Sequence, residues 1–446
     1  MKKISLLVIA LIVSIFIVGC QPSAEFPIND KSYRTTIRED VDPIVLEELA
    51  LSFDFFWETA NKDESSPGFG LIPDRYHTAT AQVGSVASIA SVGFGLTAIP
   101  IGVENGFITR KEGEERVYNT LLTLENLDRR HGFWFHFLDM KTGQRVWESE
   151  VSIIDTAILI NGALTAGRFF GGRTEELSRA LYEDIEWSWY YDSTISKFYM
   201  GYKPETGFEG HWNGYAEQLM IFVLAAGSPT YPVGKSAYNL MKFSSTLHPS
   251  TESYGAFYST YTGSLFTHQF SHAWIDFNTY VDQNDYNWFT NSVHAVEAAI
   301  AYAKTLSNTY DTIHENSWGM SAADGPNGYV GNYGSGPSQG NAHFNDGTVP
   351  AYGAIGAIVF KPESAINAMK HYDTFEQFKS KYGFKDSYNL DFGDGWFASD
   401  IIGIDKGIGL LMLENYMSGM IWNIFMEIDY IQDGLLNLDF KENADL

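Results

Sequence analysis

The sequence predicts a mostly α-helical protein folded as a single domain. Apolar residues recur at helical spacing in about eleven or twelve stretches of the chain. Strand-like alternation is confined to short pieces such as 133–137 and 197–202, and no linker or short-period repeat divides the chain after residue 44. The helix count fits an (α/α)6 toroid, in which inner and outer helices alternate around a ring, and it fits other helical arrays equally well.

The first predicted helix begins near residue 44, where Val45, Leu49 and Phe53 repeat every four residues and an aromatic run through Trp57 extends the pattern. Further helices are predicted at about 81–99, 111–128, 153–170, 174–190, 214–226, 233–246, 271–278, 285–306, 362–381 and 406–427. Loops rich in Gly, Asn, Asp and Pro separate them, and the longest covers 321–350.

The N-terminus has the pattern of a bacterial lipoprotein signal. Lys2 and Lys3 precede an apolar stretch over 4–18 that is shorter than the roughly 20 residues of a membrane span, and Cys20 is the single cysteine of the chain. We therefore expect a signal peptide over 1–19, a lipid on Cys20, a tether over 20–43 and a catalytic domain over 44–446. The expected location is the bacterial cell envelope, at the periplasmic face or the cell surface. An ordinary secretory signal with a chance cysteine is the alternative.

Composition narrows the class of partner. The formal net charge is −26, which repels nucleic acids and uronate-rich polysaccharides. Aromatic residues make up 15% of the chain and charged residues only 19%. Aromatic rings pack well against the C–H faces of sugars, and large cores also need aromatic residues. A neutral carbohydrate is therefore the expected partner, with no nucleic acid, a membrane contact through the lipid alone, and a monomeric protein.

Two glutamates interrupt strongly apolar stretches. Glu414 is the single charged residue within 407–426, and Glu217 precedes the uncharged run 219–226. Because an unpaired buried carboxylate costs several kcal/mol, each needs a functional or a structural partner. Asn213 is a candidate N-cap that would place Glu217 in the first turns of a helix, close to Trp212 and other aromatic residues.

A third group of acids lies just before and within a predicted helix start. Ser152 and Asp155 match the Ser-x-x-acid capping box, which explains Asp155 structurally, and Glu150 precedes the cap where it can project from the rim of the ring. Five aspartates then crowd the segment before the last long helix, and one of them is a candidate general base. They are Asp386, Asp391, Asp394, Asp400 and Asp405.

Other site chemistries are poorly matched. His268 and His272 have the i, i+4 spacing of a zinc site, but the glutamate of His-Glu-x-x-His is missing and no further ligand is evident. The chain contains no Gly-x-Ser-x-Gly elbow, and its Gly-rich loop at 325–336 lacks the Lys-Ser/Thr that follows a phosphate-binding loop.

Seven segments resemble, in order, those of the bacterial glycoamylase-like family, which includes the endo-β-1,2-glucanases and sophorose-releasing enzymes of glycoside hydrolase family 144. They are 55–58, 70–75, 149–157, 217–229, 265–274, 318–326 and 402–419. Together they reach from Phe53 to about Met426. The chain departs from the family at Lys406-Gly407-Ile408, where Gln-Gly-Pro is usual, and at Met417, where arginine is frequent.

The resemblance implies an (α/α)6 barrel that hydrolyses a neutral β-glucan, with β-1,2-glucan or its oligosaccharides as the best match. It implies an inverting mechanism without a metal or organic cofactor, with carboxyls roughly 6.5–9.5 Å apart. Glu217 matches the acid, and Asp386 or Asp405 is the base. By the same carry-over, Glu150, Asp155 and Glu414 line the donor-side subsites, and Glu150 and Glu414 are further catalytic candidates. The expected sugar-binding residues are Arg75, Trp212, His268, Gln269, Trp318 and Asp324.

Two other functions remain open at this point. A non-catalytic glycan-binding lipoprotein of a carbohydrate-uptake system would share the aromatic content and the lipid anchor. A uronate lyase on a similar helical toroid would need a basic groove, against which the net charge argues. Product formation from a neutral glucan separates the hydrolase from both.

Overall fold

The structure is a computed structural model that describes residues 26–444. The predicted signal peptide over 1–19 and Cys20 lie outside the described residues. The α-helices are α1 (Pro43–Thr59), α2 (Ile89–Glu104), α3 (Arg110–Asn126), α4 (Ile153–Phe170), α5 (Gly172–Glu183), α6 (Leu219–Gly227), α7 (Ser236–Ser244), α8 (Trp288–Leu306), α9 (Ala351–Ile355), α10 (Pro362–Asp373), α11 (Gly403–Ser418), α12 (Met420–Phe425) and α13 (Asp429–Asn437).

The helices fall into two kinds that alternate along much of the chain. Helices α2, α4, α6, α9 and α11 are buried almost all round, whereas α3, α5, α7, α8 and α10 bury one face only. The buried helices adjoin one another, with α11 against α2, α2 against α4, α4 against α6 and α11 against α9. The prediction of a mostly helical protein is therefore confirmed, and within residues 26–444 no strands close into a β-barrel.

Helices α2 and α4 approach each other through glycine. A Cβ atom on Gly162 would lie 2.0 Å from the carbonyl oxygen of Gly93, so no side chain fits there without separating the two helices. Helix α4 is also apolar and long enough to cross a membrane, but 89% of it is buried inside the protein, as expected for a core helix.

The strands are short, antiparallel and placed between the helices. Among the described residues, three sheets have three or four strands, which in sheet order are Gln82–Val83, Arg75–His77 and Asp400–Ile402; Gly207–His211, Lys197–Lys203 and Val151–Ser152, with Tyr191–Asp192 also beside Lys197–Lys203; and Val349–Pro350, Ser387–Asn389 and Trp396–Phe397. Six further sheets are single pairs of strands: Val86–Ser88 and Phe137–Asp139; Arg129–Arg130 and Phe133–Trp134; Leu247–His248 and Phe257–Tyr258; Tyr280–Val281 and Lys441–Glu442; Ala323–Gly325 and Gly328–Val330; and Lys379–Ser380 and Gly383–Phe384. These small sheets join loops that are far apart in sequence, such as 75–77 and 400–402.

Several helix predictions were wrong in detail, and among them the predicted 81–99 begins only at Ile89 and the predicted 362–381 ends at Asp373. The segment 271–278 is not an α-helix, because two short 3₁₀ turns, Leu265–His268 and Phe270–Ala273, occupy this region. Asn213 is not an N-cap, since α6 begins only at Leu219. The predicted helix over 406–427 is divided at Gly419, whose left-handed backbone (φ 66°) ends α11 and begins α12.

The predicted tether over 20–43 is not free where the structure describes it. Tyr33 is buried against Phe169, and the amide of Arg38 donates to the carbonyl of Met417 at 2.9 Å. From residue 26 onward this N-terminal segment therefore packs on the helical body.

Candidate functional site

Four of the candidate acids lie at the N-terminal ends of buried helices. Asp155 is in the first turn of α4, Glu217 lies two residues before the start of α6, and Asp405 is in the first turn of α11. Asp386 joins them because its carbonyl accepts from the amide of Ala351 at the start of α9. Since helix N-termini carry a partial positive charge, they favour carboxylates at this position.

Glu217 is held in a largely enclosed setting. Its carbonyl accepts from the hydroxyl of Ser271 at 2.6 Å, which fixes the backbone just before α6. The side chain is only partly exposed, and burial raises the pKa of its carboxyl to about 7, with the charge of Asp155 adding to the rise. A carboxylic acid that keeps its proton near neutral pH is suited to act as a general acid.

Asp386 and Asp405 are buried carboxyls that interact directly with each other. One oxygen of Asp386 also accepts from the amide of Asp324 at 2.7 Å. Burial raises the pKa of both carboxyls, and the negative charge of Asp324 adds to the rise at Asp386. Between the pH values at which the first and the second of two interacting acids ionise, the pair holds one proton and offers one carboxylate and one carboxyl.

Arg75 connects this pair to the surrounding acids. Its Nη1 atom lies 2.6 Å from Asp324 and 3.4 Å from Asp400, and its Nε atom lies 3.3 Å from Asp74. The strand Arg75–His77 pairs with Asp400–Ile402, just before α11, which brings Arg75 to Asp405 and its partner. Tyr329, directly opposite Asp324 in its hairpin, covers the guanidinium at 5.8 Å.

A second cluster contains Glu150, His136 and Asp155. Nδ1 of His136 lies 2.9 Å from Glu150, and Nε2 lies 3.6 Å from Asp155. Burial alone would lower the pKa of His136, but these carboxylates and Asp74 raise it to about 9. Burial likewise tends to raise the pKa of Glu150, and contact with His136 lowers it below its usual value. The Ser152 hydroxyl caps α4 by accepting a hydrogen bond from the amide of Asp155, as the sequence predicted.

This second cluster contains the residues that could hold a metal ion. One ligand atom from each of His136, Glu150 and Asp155 falls within 4.8 Å of the others. The two carboxylates, however, face opposite nitrogens of the imidazole ring, so the ring would have to turn before one ion could bind all three. Because the pKa of His136 is raised to about 9, its ring is an imidazolium between the carboxylates of Glu150 and Asp155 at neutral pH.

Several sugar-binding predictions remain compatible with the structure. Arg75 and Asp324 are partly exposed, and Trp212 is partly exposed with a ring nitrogen that has no hydrogen-bond partner among residues 26–444. His268 is buried beside Tyr215, and its Nδ1 likewise lacks a partner within the described chain. Burial lowers the pKa of His268 to about 3, so its ring is neutral.

Two sugar-binding predictions are corrected by burial. Gln269 is fully buried, and its amide nitrogen donates to the carbonyl of Gly353 at 2.7 Å, which ties the 3₁₀ turns to α9. Trp318 is also fully buried, within the hydrophobic core. Neither side chain presents a surface to a sugar.

The prediction that Glu414 is catalytic or lines the subsites is also corrected. Glu414 follows Asp405 by nine positions in α11, about 14 Å along the axis at 1.5 Å per residue. It is fully buried at the other end of the helix, where it contacts Arg34 at 2.9 Å and accepts from Ser418 and Asn105. These partners make Glu414 a structural residue.

The sequence interpretation missed His136, Asp74 and Tyr329. His136 lies at the end of the short strand-like piece 133–137, and its place between apolar residues was a usable signal. Asp74 and Tyr329 carry no local signal, because only the contacts between loops bring them to the acids.

Comparison with known proteins places the chain among carbohydrate-active relatives. Residues 209–429 match the Glycoamylase family, described as "Putative glucoamylase". An exo-β-1,2-glucooligosaccharide sophorohydrolase (non-reducing end) of Parabacteroides distasonis is 25% identical over 461 aligned positions, which cover 93% of this chain. The chain spans 61% of the length of that relative.

Solved structures share the fold. The endo-β-1,2-glucanase of Chitinophaga pinensis, in complex with sophorotriose and glucose, is 26% identical with a TM-score of 0.80 over 91% of this chain and 99% of its own. The endo-β-1,2-glucanase of Talaromyces funiculosus, in complex with sophorose, is 10% identical with a TM-score of 0.63 over 90% of this chain and 91% of its own, which is a likeness of fold alone. These matches confirm the predicted resemblance of the chain to the glycoamylase-like family.

Proposed function

We propose that this protein is a glycoside hydrolase that cleaves a β-glucan, with Glu217 as the general acid and the Asp386–Asp405 pair as the source of the general base. One observation carries the proposal. A carboxyl that burial keeps protonated near neutral pH and an aspartate pair that shares a proton both lie at the N-terminal ends of buried helices. Glycoside hydrolysis of this kind needs one protonated carboxyl as the general acid and one carboxylate as the general base.

The proposed chemistry follows from the two protonation states. Glu217 donates its proton to the glycosidic oxygen while the bond from that oxygen to the anomeric carbon breaks. The ionised member of the Asp386–Asp405 pair accepts a proton from the water that attacks the same carbon, so that charge and protons balance. In this scheme the anomeric configuration inverts, and Arg75 limits the repulsion among the acids through its contacts with Asp324 and Asp74.

The substrate class we propose is a β-1,2-linked glucan or its oligosaccharides. The relatives named above act on β-1,2-linked glucose, and the net charge of −26 suits a neutral polymer. We further propose that the alternating helices form an (α/α)6 ring over 44–446, with the 3₁₀ turns at 265–273 in the place of one inner helix. Lipid anchoring at Cys20 in the cell envelope and a monomeric state complete the proposal.

The test is product analysis on a panel of linear neutral glucans that differ in linkage. The purified protein should shorten β-1,2-glucan to small oligosaccharides, and Glu217→Gln should lose about 10²–10⁴-fold in kcat while keeping its circular dichroism spectrum. Proton NMR early in the reaction should show that the product first released from a β-linkage is the α-anomer, as inversion requires.

Two results would overturn the proposal. Full activity of the Glu217→Gln variant would show that Glu217 is not the general acid. Binding of β-1,2-glucan without any shortening would favour the non-catalytic glycan-binding alternative.

A further inference from the structure

Trp147 is an exposed tryptophan in an unusual backbone conformation. Its side chain is 68% exposed, and both Trp147 and the following Glu148 have positive φ angles, 56° and 48°. A non-glycine residue in this region costs of the order of 1 kcal/mol or more, so two in succession persist only where the surroundings impose them. Burial of the indole does not explain this arrangement, because the ring faces solvent.

Hydrogen bonds on both sides of Trp147 fix its loop. The amide of Val146 donates to the carbonyl of Phe137 at 3.1 Å, and the amide of Ser149 donates to the carbonyl of Val146 at 3.1 Å. Nε of Arg145 donates to the carbonyl of Ser149 at 2.6 Å, while its guanidinium forms two hydrogen bonds with Glu205. The indole is therefore presented to solvent by a rigid turn.

Direct ring contacts lead from Trp147 to the candidate site. The Trp147 ring lies edge-on to Phe137, with centroids 5.2 Å apart, and Phe137 stacks on His136 at 3.7 Å. Nδ1 of His136 is 2.9 Å from Glu150, which is three residues after Trp147 in the chain. Trp147 is thus the outermost member of an aromatic run that ends at the acids.

We propose that Trp147 is an outer subsite that stacks on a glucosyl residue of the glucan chain, away from the bond that is cleaved. The inference rests on the proposed function. A flat indole fits the apolar C–H face of a pyranose, and its amphipathic edge tolerates the ring hydroxyls. The neighbouring Glu148 and Glu150 would repel an anionic sugar, so the ligand is a neutral one.

The test compares substrates of different length. Trp147→Ala should raise KM for a long linear β-1,2-glucan about three- to tenfold, the value of one aromatic stacking contact, with kcat unchanged. KM for the shortest oligosaccharide that the wild type cleaves should stay the same, because that substrate is too short to contact Trp147 while its bond is being cleaved. Trp147→Phe should recover most of the lost affinity.

The matched control is Leu436→Ala, which removes an apolar side chain of the same exposure (69%) from α13. This helix packs on the part of α6 that is remote from Glu217, at Val223 and Gly227. Both kinetic parameters should be unchanged in this variant.

The two proposals fail in different ways. Equal effects of Trp147→Ala on long and short substrates, or no effect on either, would overturn the subsite while wild-type cleavage still supports the hydrolase. If the wild type cleaves nothing, affinity electrophoresis in gels that contain β-1,2-glucan decides. Retardation that Trp147→Ala reduces supports the subsite without the hydrolase, and retardation that Trp147→Ala leaves unchanged overturns the subsite. No retardation of the wild type overturns both.

Discussion

Arg34 and Glu414 form an ion pair with 2.9 Å between Nε and Oε1, and this contact fastens the N-terminal segment to the far end of α11. Glu414 is fully buried, and burial raises the pKa of its carboxyl against the opposing effect of Arg34. The ion pair therefore accounts both for the buried acid and for the attachment of the N-terminal segment. The arginine supplies the charge that allows an acid inside an apolar helix, and the acid holds a segment that the sequence predicted to be a free tether.

The first prediction concerns this pair. Arg34→Met should lower the free energy of unfolding by about 3–5 kcal/mol, because it leaves a buried carboxyl without its cation. Denaturant unfolding followed by circular dichroism measures the change. The double variant Arg34→Met, Glu414→Gln should recover a large part of the loss, since no buried charge then remains.

The control for this prediction is Lys31→Met. Lys31 lies in the same N-terminal segment as Arg34 and pairs with Glu427. Both side chains of this pair are partly exposed, so Lys31→Met should lower the free energy of unfolding by less than about 1 kcal/mol. Equal losses for Lys31→Met and Arg34→Met would contradict the assignment of Glu414 as the reason for the effect.

The second prediction is an alkaline limit on catalysis set by Glu217. A general acid works only while protonated, and burial raises the pKa of Glu217 to about 7. The value of kcat/KM should therefore fall tenfold per pH unit at high pH, with a midpoint near 7. Initial rates between pH 4 and 9 measure this limit, and a flat profile up to pH 9 would exclude Glu217 as the acid.

The same group should also make the stability of the folded protein decrease as the pH rises. A carboxyl whose pKa is higher in the folded state than its usual 4.5 binds its proton more tightly when folded, so stability decreases as the pH rises from about 4.5 to about 7. Glu217→Gln removes this penalty. The Tm of the variant should exceed that of the wild type at pH 8, and the two should be nearly equal at pH 4.

The third prediction separates the aspartate pair from its neighbours. Asp386→Asn and Asp405→Asn should each lower kcat by about 10²–10⁴-fold, because either change removes the shared proton or the carboxylate that accepts one. Asp394→Asn is the control, since Asp394 is an exposed acid in the turn between the strands Ser387–Asn389 and Trp396–Phe397. Activity close to wild type in both paired variants would place the general base elsewhere.

The fourth prediction tests the contact between α2 and α4. Gly162→Ala should destabilise the protein by about 1–3 kcal/mol, because the new Cβ would overlap the carbonyl oxygen of Gly93. Gly234→Ala is the matched control, since nothing lies within 4 Å of a Cβ at that position. Thermal unfolding compares the two, and an unaltered Tm for Gly162→Ala would mean that the helices are further apart than described.

The sequence by itself determined the mostly helical class, the place of the long helices and several of the acids that belong to the candidate site. Helix α4 occupies the predicted 153–170, because its apolar residues and the Ser152 cap are local signals. The sequence also singled out Glu217, since an acid beside an uncharged run is visible without a structure, and it marked Asp386 and Asp405 within a crowd of aspartates that resembles the family's motif. The limits of short elements were less predictable, as at 271–278, where contacts with other segments favour 3₁₀ turns over an α-helix.

Only the tertiary structure decided which of these acids belong together. Asp405 and Glu414 look alike in the sequence, and the helical rise of 1.5 Å per residue carries them to opposite ends of α11, one to the acid cluster and one to Arg34. His136 and Asp74 join the site through pairing between distant loops, which no local pattern encodes. Burial likewise depends on the whole fold, and it turned Gln269 and Trp318 from expected sugar ligands into parts of the core.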